Sequence, residues 1–154
     1  MTARDADAGS RETASDTTPA TDTTPGGETA YGEFPLKAYL GMEMSGDEPG
    51  HGRARIEVGP AHLNPNGVVH GAVLFAMVDT AMGKATMSGL GEGLFCASVE
   101  VSLRFIRAAS TGILVADATV VRRGRSLAHL EARVLDGDDR LIATATATFA
   151  VLGG

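Results

Sequence analysis

Four segments in the second half of the chain alternate apolar and polar residues. It is clear in Phe95–Phe105 and in residues 141–151, and looser in residues 111–121 and 126–135. A period of two is typical of β-strands that cover a core with one face. Strict alternation in the first segment assigns to the core face Phe95, Ala97, Val99, Val101, Leu103 and Phe105. It leaves Cys96 and Ser98 on the opposite face.

A long apolar segment, residues 71–90, precedes these strands and carries only two charged side chains, Asp79 and Lys84. Those charges, with Gly83 and Gly89, argue against a membrane span. A helix that is apolar on nearly all sides is usually buried. Residues 35–40 predict a short helical turn, and residues 41–58 predict a hairpin. The pattern as a whole predicts an α+β fold, in which a curved antiparallel β-sheet wraps around one central helix.

The first 30 residues differ from the rest in composition. They contain no Val, Leu, Ile, Phe or other aromatic residue, and two arginines stand against six acidic residues. Such a segment buries too little apolar surface to offset its ordering entropy. We therefore predict a disordered acidic tail over residues 1–30 and one domain over residues 31–154. The apolar run that is typical of a signal peptide is absent before the domain, so we expect a cytoplasmic protein.

Charge and cysteine usage exclude several classes of function. The net charge is −6, so no basic footprint for nucleic acid is expected. Cys96 is the only cysteine, which rules out an intrachain disulfide and favours a small buried apolar role for it. His51, His62 and His129 lack metal-ligand spacing and are predicted to be solvated or turn histidines. We expect no metal and no redox cofactor.

The segment before the apolar helix carries the most specific motif. It reads Asn64-Pro65-Asn66-Gly67-Val68-Val69-His70-Gly71-Ala72, and Asp79 follows on the helix. This spacing resembles the signature of hotdog-fold acyl-CoA thioesterases of the phenylacetic-acid-degradation type, with two departures. Ala72 stands where that family usually has a second glycine, and Ala108 replaces a frequent proline. The resemblance covers residues 54–151 and implies a hotdog fold.

Elementary chemistry gives the two ends of this motif different tasks. The first N–H groups of a helix lack intrahelical partners and lie at its positive end, so the Gly71 amide can stabilise an oxyanion. Asp79 is the only carboxylate on the helix and can act as a base. Eight residues separate the two by roughly 12 Å along the axis. One helix cannot supply both groups to one carbonyl, so two antiparallel helices from two subunits are predicted to share each site.

The resemblance also implies a role for individual side chains. It assigns Asn64 and the Gly71 amide to polarising the thioester carbonyl, and Asp79 to activating or directly replacing the attacking water. Ser98 would hold Asp79 or that water, provided that a β-bulge turns it towards the helix. His70 either donates to the carbonyl or serves as a helix N-terminal residue.

Three arginines near a predicted hairpin, Arg122, Arg123 and Arg125, can meet the phosphates of coenzyme A or form a solvated basic turn. The expected protein is therefore an acyl-CoA thioesterase that works as a homodimer or homotetramer, without a nucleic-acid or membrane partner. An acyl-thioester hydratase or dehydratase on the same scaffold and a non-catalytic acyl-CoA-binding regulator remain as alternatives. The acyl group is not determined by the sequence.

Overall fold

The computed structural model describes residues 34–46 and 48–153. The predicted tail, residues 1–30, lies outside the described residues. The helices are α1 (Pro35–Tyr39) and α2 (Gly71–Ser88), with a 3-10 turn at Pro60–His62. The strands are β1 (Glu43–Ser45), β2 (His51–Glu57), β3 (Phe95–Phe105), β4 (Ile113–Arg123), β5 (Leu127–Asp136) and β6 (Leu141–Leu152). The predicted elements all form, and α2 ends two residues earlier than expected.

The six strands form one antiparallel sheet in the order β1-β2-β4-β5-β6-β3. Each of β2, β4, β5 and β6 is paired on both sides, whereas β3 pairs only with β6 within the described chain. Strand β3 is therefore an open edge of the sheet. An open strand edge presents unpaired backbone N–H and C=O groups that another strand can meet.

Helix α2 lies across the concave face of the sheet. Its buried side chains are Val73, Leu74, Met77, Val78, Ala81, Met82, Ala85 and Thr86. The closest approach is at Gly52 on β2, where an added Cβ would meet the Ala81 carbonyl oxygen and lie 2.5 Å from the Ala85 nitrogen. Only glycine leaves room there for helix and strand backbones to touch. The predicted α+β architecture is confirmed.

One stripe of α2 stays partly uncovered by the sheet. It runs through Ala72, Phe75, Asp79 and Gly83, which are spaced by three or four residues and so share one side of the helix. We call it the open stripe. The C-terminal part of the open stripe lies over β3, where the Cys96 thiol donates weakly to the Gly83 carbonyl oxygen at 3.8 Å.

A β-bulge in β3 corrects the predicted facing of that strand. Ser98 pairs with Phe149 and Glu100 with Thr148, so Val99 is an extra residue without a partner. Because an extra residue reverses the alternation, the assignment of Phe95, Ala97 and Val99 to the core face is wrong. Ser98 shares the side of its partner Phe149, which is buried, and Val99 is 64% exposed. The alternation is as predicted from Val101 to Phe105.

The 3-10 turn anchors the segment that leads into α2. The Gly59 N–H donates to His62 Nδ1 at 2.9 Å, which leaves the ring proton on Nε2 to donate to the Leu40 carbonyl oxygen at 3.1 Å. His62 is therefore a buried structural residue in a turn, and not a solvated one. His51 and His129 are exposed, as predicted.

Candidate active site

The loop before α2 is built around the Asn64 side chain. Its Oδ1 accepts the N–H of Asn66 at 2.9 Å and that of Val68 at 3.4 Å. Gly67, with φ of 74°, closes the turn by donating its N–H to the Asn64 carbonyl oxygen at 2.9 Å. The oxygen end of the side chain thus serves the loop, and the Nδ2 end remains able to donate to another molecule.

His70 caps the N-terminus of α2. Its Nδ1 accepts the Ala72 N–H at 3.0 Å, and its carbonyl oxygen accepts the Val73 N–H at 2.9 Å. The Gly71 N–H, by contrast, donates to no atom within residues 34–46 and 48–153. Because Nδ1 accepts, the neutral ring carries its proton on the exposed Nε2. Both sequence interpretations of His70 are thus compatible with its position, since it caps the helix and can still donate outward.

Phe105, for which the strand pattern predicts only a core-facing position, lies against this helix start. A Cβ added to Gly71 would lie 2.9 Å from its Cζ and 3.2 Å from its Cε1. The space next to Gly71 is therefore narrowed by a ring of the same chain. The sequence contained no signal for this contact, because Phe105 ends a strand and lies 34 positions after Gly71.

Asp79 lies in the middle of α2, on the open stripe. The Ser98 hydroxyl lies close enough to lower the pKa of the Asp79 carboxyl by hydrogen bonding, so the bulge brings together the two residues that the resemblance paired. Its Oδ1 is buried and has no hydrogen-bond partner within the described residues. Burial raises the pKa of Asp79 above its ordinary value, and the Ser98 hydrogen bond opposes that rise. A partly desolvated carboxylate with one free oxygen is suited to accept a proton.

Cys96 lies near this carboxylate without sharing its chemistry. Burial, followed by the charge of Asp79, raises the pKa of the Cys96 thiol to about 11. A thiol of that pKa is protonated at neutral pH and is a poor nucleophile. The predicted role as a small packing residue fits this environment.

The structure does not gather the whole motif at one point. Asn64, His70 and Gly71 lie at the start of α2, and Asp79 and Ser98 lie about two turns further along. Two surface depressions of about 430 and 440 Å³ contain none of these five residues. Both lie on the outer face of the sheet, and both are lined by Glu131 and Thr146.

The three arginines proposed for coenzyme A have different surroundings. Arg123 donates a hydrogen bond to the Gly89 carbonyl oxygen at the C-terminus of α2, where a cation also stabilises the helix dipole. A second bulge, at Val121, turns it to that side of the sheet. Arg122 pairs with exposed His129 on the outer face, and Arg125 lies in the exposed turn.

Within the described ranges, no group of three or more His, Cys, Asp or Glu side chains is arranged to hold a metal ion. Nor does either described helix have the length and hydropathy needed to cross a membrane.

A sequence profile for the thioesterase superfamily matches residues 66–143, which include Gly71, Asp79 and Ser98. The chain belongs to the thioesterase superfamily. The resemblance to hotdog thioesterases predicted from the motif is confirmed, and so is the α+β hotdog fold.

Three individual proteins illustrate what this chain is similar to. Rv1847 of Mycobacterium tuberculosis, named as a candidate esterase, is 31% identical over 112 residues, which are 71% of this chain and 80% of that protein. The conserved protein PA5202 of Pseudomonas aeruginosa is 30% identical, with a TM-score of 0.74 over 78% of this chain and 95% of that one. The PaaI protein of E. coli, from the phenylacetic acid degradation operon, is 22% identical, with a TM-score of 0.74 over 80% of this chain and 88% of its own; it shows the shared fold. The chain is a thioester hydrolase.

Proposed function

We propose that this thioester hydrolase cleaves acyl-CoA to free acid and coenzyme A, in sites shared between two subunits. The observation that carries the proposal is a pair of unpaired polar groups on one helix. The Gly71 N–H has no acceptor and Asp79 Oδ1 has no donor within the described residues. Thioester hydrolysis needs an electrophilic donor and a base, and these two groups are of the required kinds.

The start of α2 supplies the electrophilic side of the reaction. The Gly71 N–H lies at the positive end of the helix dipole, and Asn64 Nδ2 is left free by the loop that its Oδ1 organises. Both can donate to the thioester oxygen as negative charge develops there. Removing one such donor typically raises the barrier by about 3 kcal/mol. The exposed Nε2–H of His70 provides a third donor.

Asp79 supplies the basic side of the reaction. Its partial burial raises its pKa, which makes the carboxylate a stronger base than an exposed one. The Ser98 hydroxyl stabilises the charged carboxylate, and the buried, unpaired Oδ1 is left to take a proton from a water that enters with the substrate. Direct attack by Oδ1 would instead form an acyl anhydride with Asp79. Label found in Asp79 after a single turnover in ¹⁸O-water would establish the anhydride route, because only attack of water on the Asp79 carbonyl of the anhydride carries label there.

A second subunit brings the two halves together. The axial gap of roughly 12 Å between Gly71 and Asp79 prevents one helix from serving one carbonyl. Strand β3 is an open edge directly beside the open stripe of α2. If two copies pair through this edge across a two-fold axis, the sheet continues and the two α2 helices lie antiparallel. Gly71 of each copy then faces Asp79 of the other.

Coenzyme A would enter with its phosphates near the β4–β5 hairpin. Arg122 and Arg125 are exposed and able to meet phosphates, whereas Arg123 is already engaged at Gly89. A lower KM for acyl-CoA than for the matching acyl-pantetheine would support this placement. The reaction as proposed needs no metal or redox cofactor, since Asp79 and the helix amide supply base and electrophile. Thiol release from short, long and aryl acyl-CoA substrates would identify the acyl group.

The test of the shared site mixes two inactive variants, Asp79→Asn and Asn64→Ala, under conditions that allow subunit exchange. In a mixed dimer one site carries both lesions and the other carries neither. With random pairing about half of the dimers are mixed, so activity should return to about a quarter of wild type. Mass spectrometry of the mixture verifies exchange.

If mixed dimers form and activity stays at the level of the parent variants, both groups act within one chain and the shared site is wrong. Asp79→Asn alone is the control for the chemistry. Near wild-type kcat in that variant, folded and assembled, would refute the role of Asp79.

A further inference from the structure

We propose that Phe105 positions the Gly71 amide and limits the size of the acyl group that fits beside it. The inference rests on the proposed function, because it concerns the donor at the start of α2. The ring points at Gly71 end-on: its Cζ, Cε1 and Cε2 would lie 2.9, 3.2 and 3.7 Å from a Cβ placed there. Gly71 is thus held against an aromatic tip.

The backbone around Phe105 gives its ring a fixed direction. Phe105 pairs with Ala143 of β6, and the next two residues, Ile106 and Arg107, both donate their N–H groups to the Ile142 carbonyl oxygen at 2.9 and 3.1 Å. The strand end is therefore anchored beyond its last regular pair. Because the backbone from which the ring projects is held in place, the positions that the ring can reach are limited to its staggered rotamers.

The segment on the other side of the contact is fixed as well. The Val69 N–H donates to the Ala109 carbonyl oxygen at 2.8 Å, in the same connection that follows Phe105. The His70 N–H donates to the His62 carbonyl oxygen, also at 2.8 Å. Gly71 therefore lies between two backbone hydrogen bonds on one side and the Phe105 ring on the other. Small changes in the ring are transmitted to the direction of the Gly71 N–H.

The exposure of Phe105 gives it a second task. The residue is 57% exposed although it projects from the helix side of the sheet, so part of its ring faces space that the chain does not fill. A thioester carbonyl bound at the Gly71 amide would place its acyl carbons beside this apolar surface. The ring would exclude water from the developing oxyanion and restrict branching or ring substituents near the carbonyl.

The test is a double-mutant cycle at the two contacting residues. Gly71→Ala should lower kcat because its new methyl meets the Phe105 ring tip and displaces the amide. Phe105→Leu lacks the outer ring carbons, so adding it to Gly71→Ala should recover kcat by about tenfold.

A second experiment tests the limit on the acyl group. Phe105→Ala should lower kcat/KM for short straight acyl-CoA and raise the relative rate of a branched or aryl acyl-CoA by about tenfold or more. Ile106→Ala, the adjacent exposed apolar residue, is the matched control and should leave the acyl ratio unchanged.

Two results would overturn the inference. One is a Gly71→Ala/Phe105→Leu variant that is folded and assembled yet no more active than Gly71→Ala. The other is an acyl ratio in Phe105→Ala that equals that of Ile106→Ala, since a merely structural role would change the amount of active enzyme and not its preference. Asp79→Asn is assayed in parallel. If it is inactive, these failures concern Phe105 alone, and if it is active, the proposed function itself fails.

Discussion

Replacing Asp79 by Asn should make the protein inactive and more stable at neutral pH. The change keeps the side chain's size and leaves an oxygen to accept the Ser98 hydrogen bond. It removes a negative charge from a half-buried site in which Oδ1 has no partner. A half-buried, unpaired carboxylate lowers the free energy of unfolding, and active sites often contain such destabilising groups because the reaction needs them.

The size of this gain in the free energy of unfolding follows from the surroundings of the carboxylate. Leaving a buried polar group without a partner costs about 1–3 kcal/mol. Because Asp79 is only half buried and the new amide N–H₂ also lacks a partner, we expect the low end, about 1 kcal/mol. For a domain of this size that corresponds to a rise in Tm of about 4 °C.

The gain should depend on pH in a defined direction. Burial raises the pKa of Asp79 in the folded protein above its ordinary value of 3.8, so the folded state holds this proton more tightly than the unfolded chain. The contribution of the protonated group to stability is complete below pH 3.8 and is lost as the pH rises through the folded-state pKa. The advantage of Asn should therefore be full at pH 7.5 and shrink towards pH 4.

Thermal unfolding of both proteins at pH 4 and pH 7.5, followed by circular dichroism, measures this difference. Asp117→Asn is the matched control, because Asp117 pairs with Arg53 at 2.6 Å on the surface. That variant should be neutral or slightly destabilised at pH 7.5. A lower Tm for Asp79→Asn at pH 7.5, or a Tm difference that does not change with pH, would refute the assigned environment of Asp79.

Two further predictions concern neighbouring contacts. Ser98→Ala removes the hydrogen bond that lowers the pKa of Asp79, so the acidic limb of the kcat/KM pH profile should move to higher pH; an unmoved limb in an active variant would contradict the pairing. Gly52→Ala places a methyl against the α2 backbone and should lower the free energy of unfolding in urea by about 3 kcal/mol. Gly59→Ala, which has open space at its Cβ, should stay within about 0.5 kcal/mol of wild type, and equal effects of the two changes would argue against the close helix–strand approach.

The alternation of apolar residues and the apolar circumference of residues 71–90 were sufficient to predict the strands, the helix and the α+β class. These signals are local, because each residue's preference for strand or helix repeats along its own segment. The motif from Asn64 to Asp79 was likewise readable, since its members lie close together in the chain. The cap by His70 and the turn built on Asn64 follow from this local geometry.

Only the tertiary structure decided which side chains face the helix. The bulges at Val99 and Val121 depend on how β3 and β4 align with β6 and β5. No amino-acid type marks in advance the residue that such an alignment leaves unpaired. These bulges turn Ser98 to Asp79 and Arg123 to the end of α2. The contact of Phe105 with Gly71 and the burial of His62 arise from chain segments that meet only after folding. Sequence periodicity describes one segment at a time, whereas register and close approach belong to pairs of segments, and for that reason they required the structure.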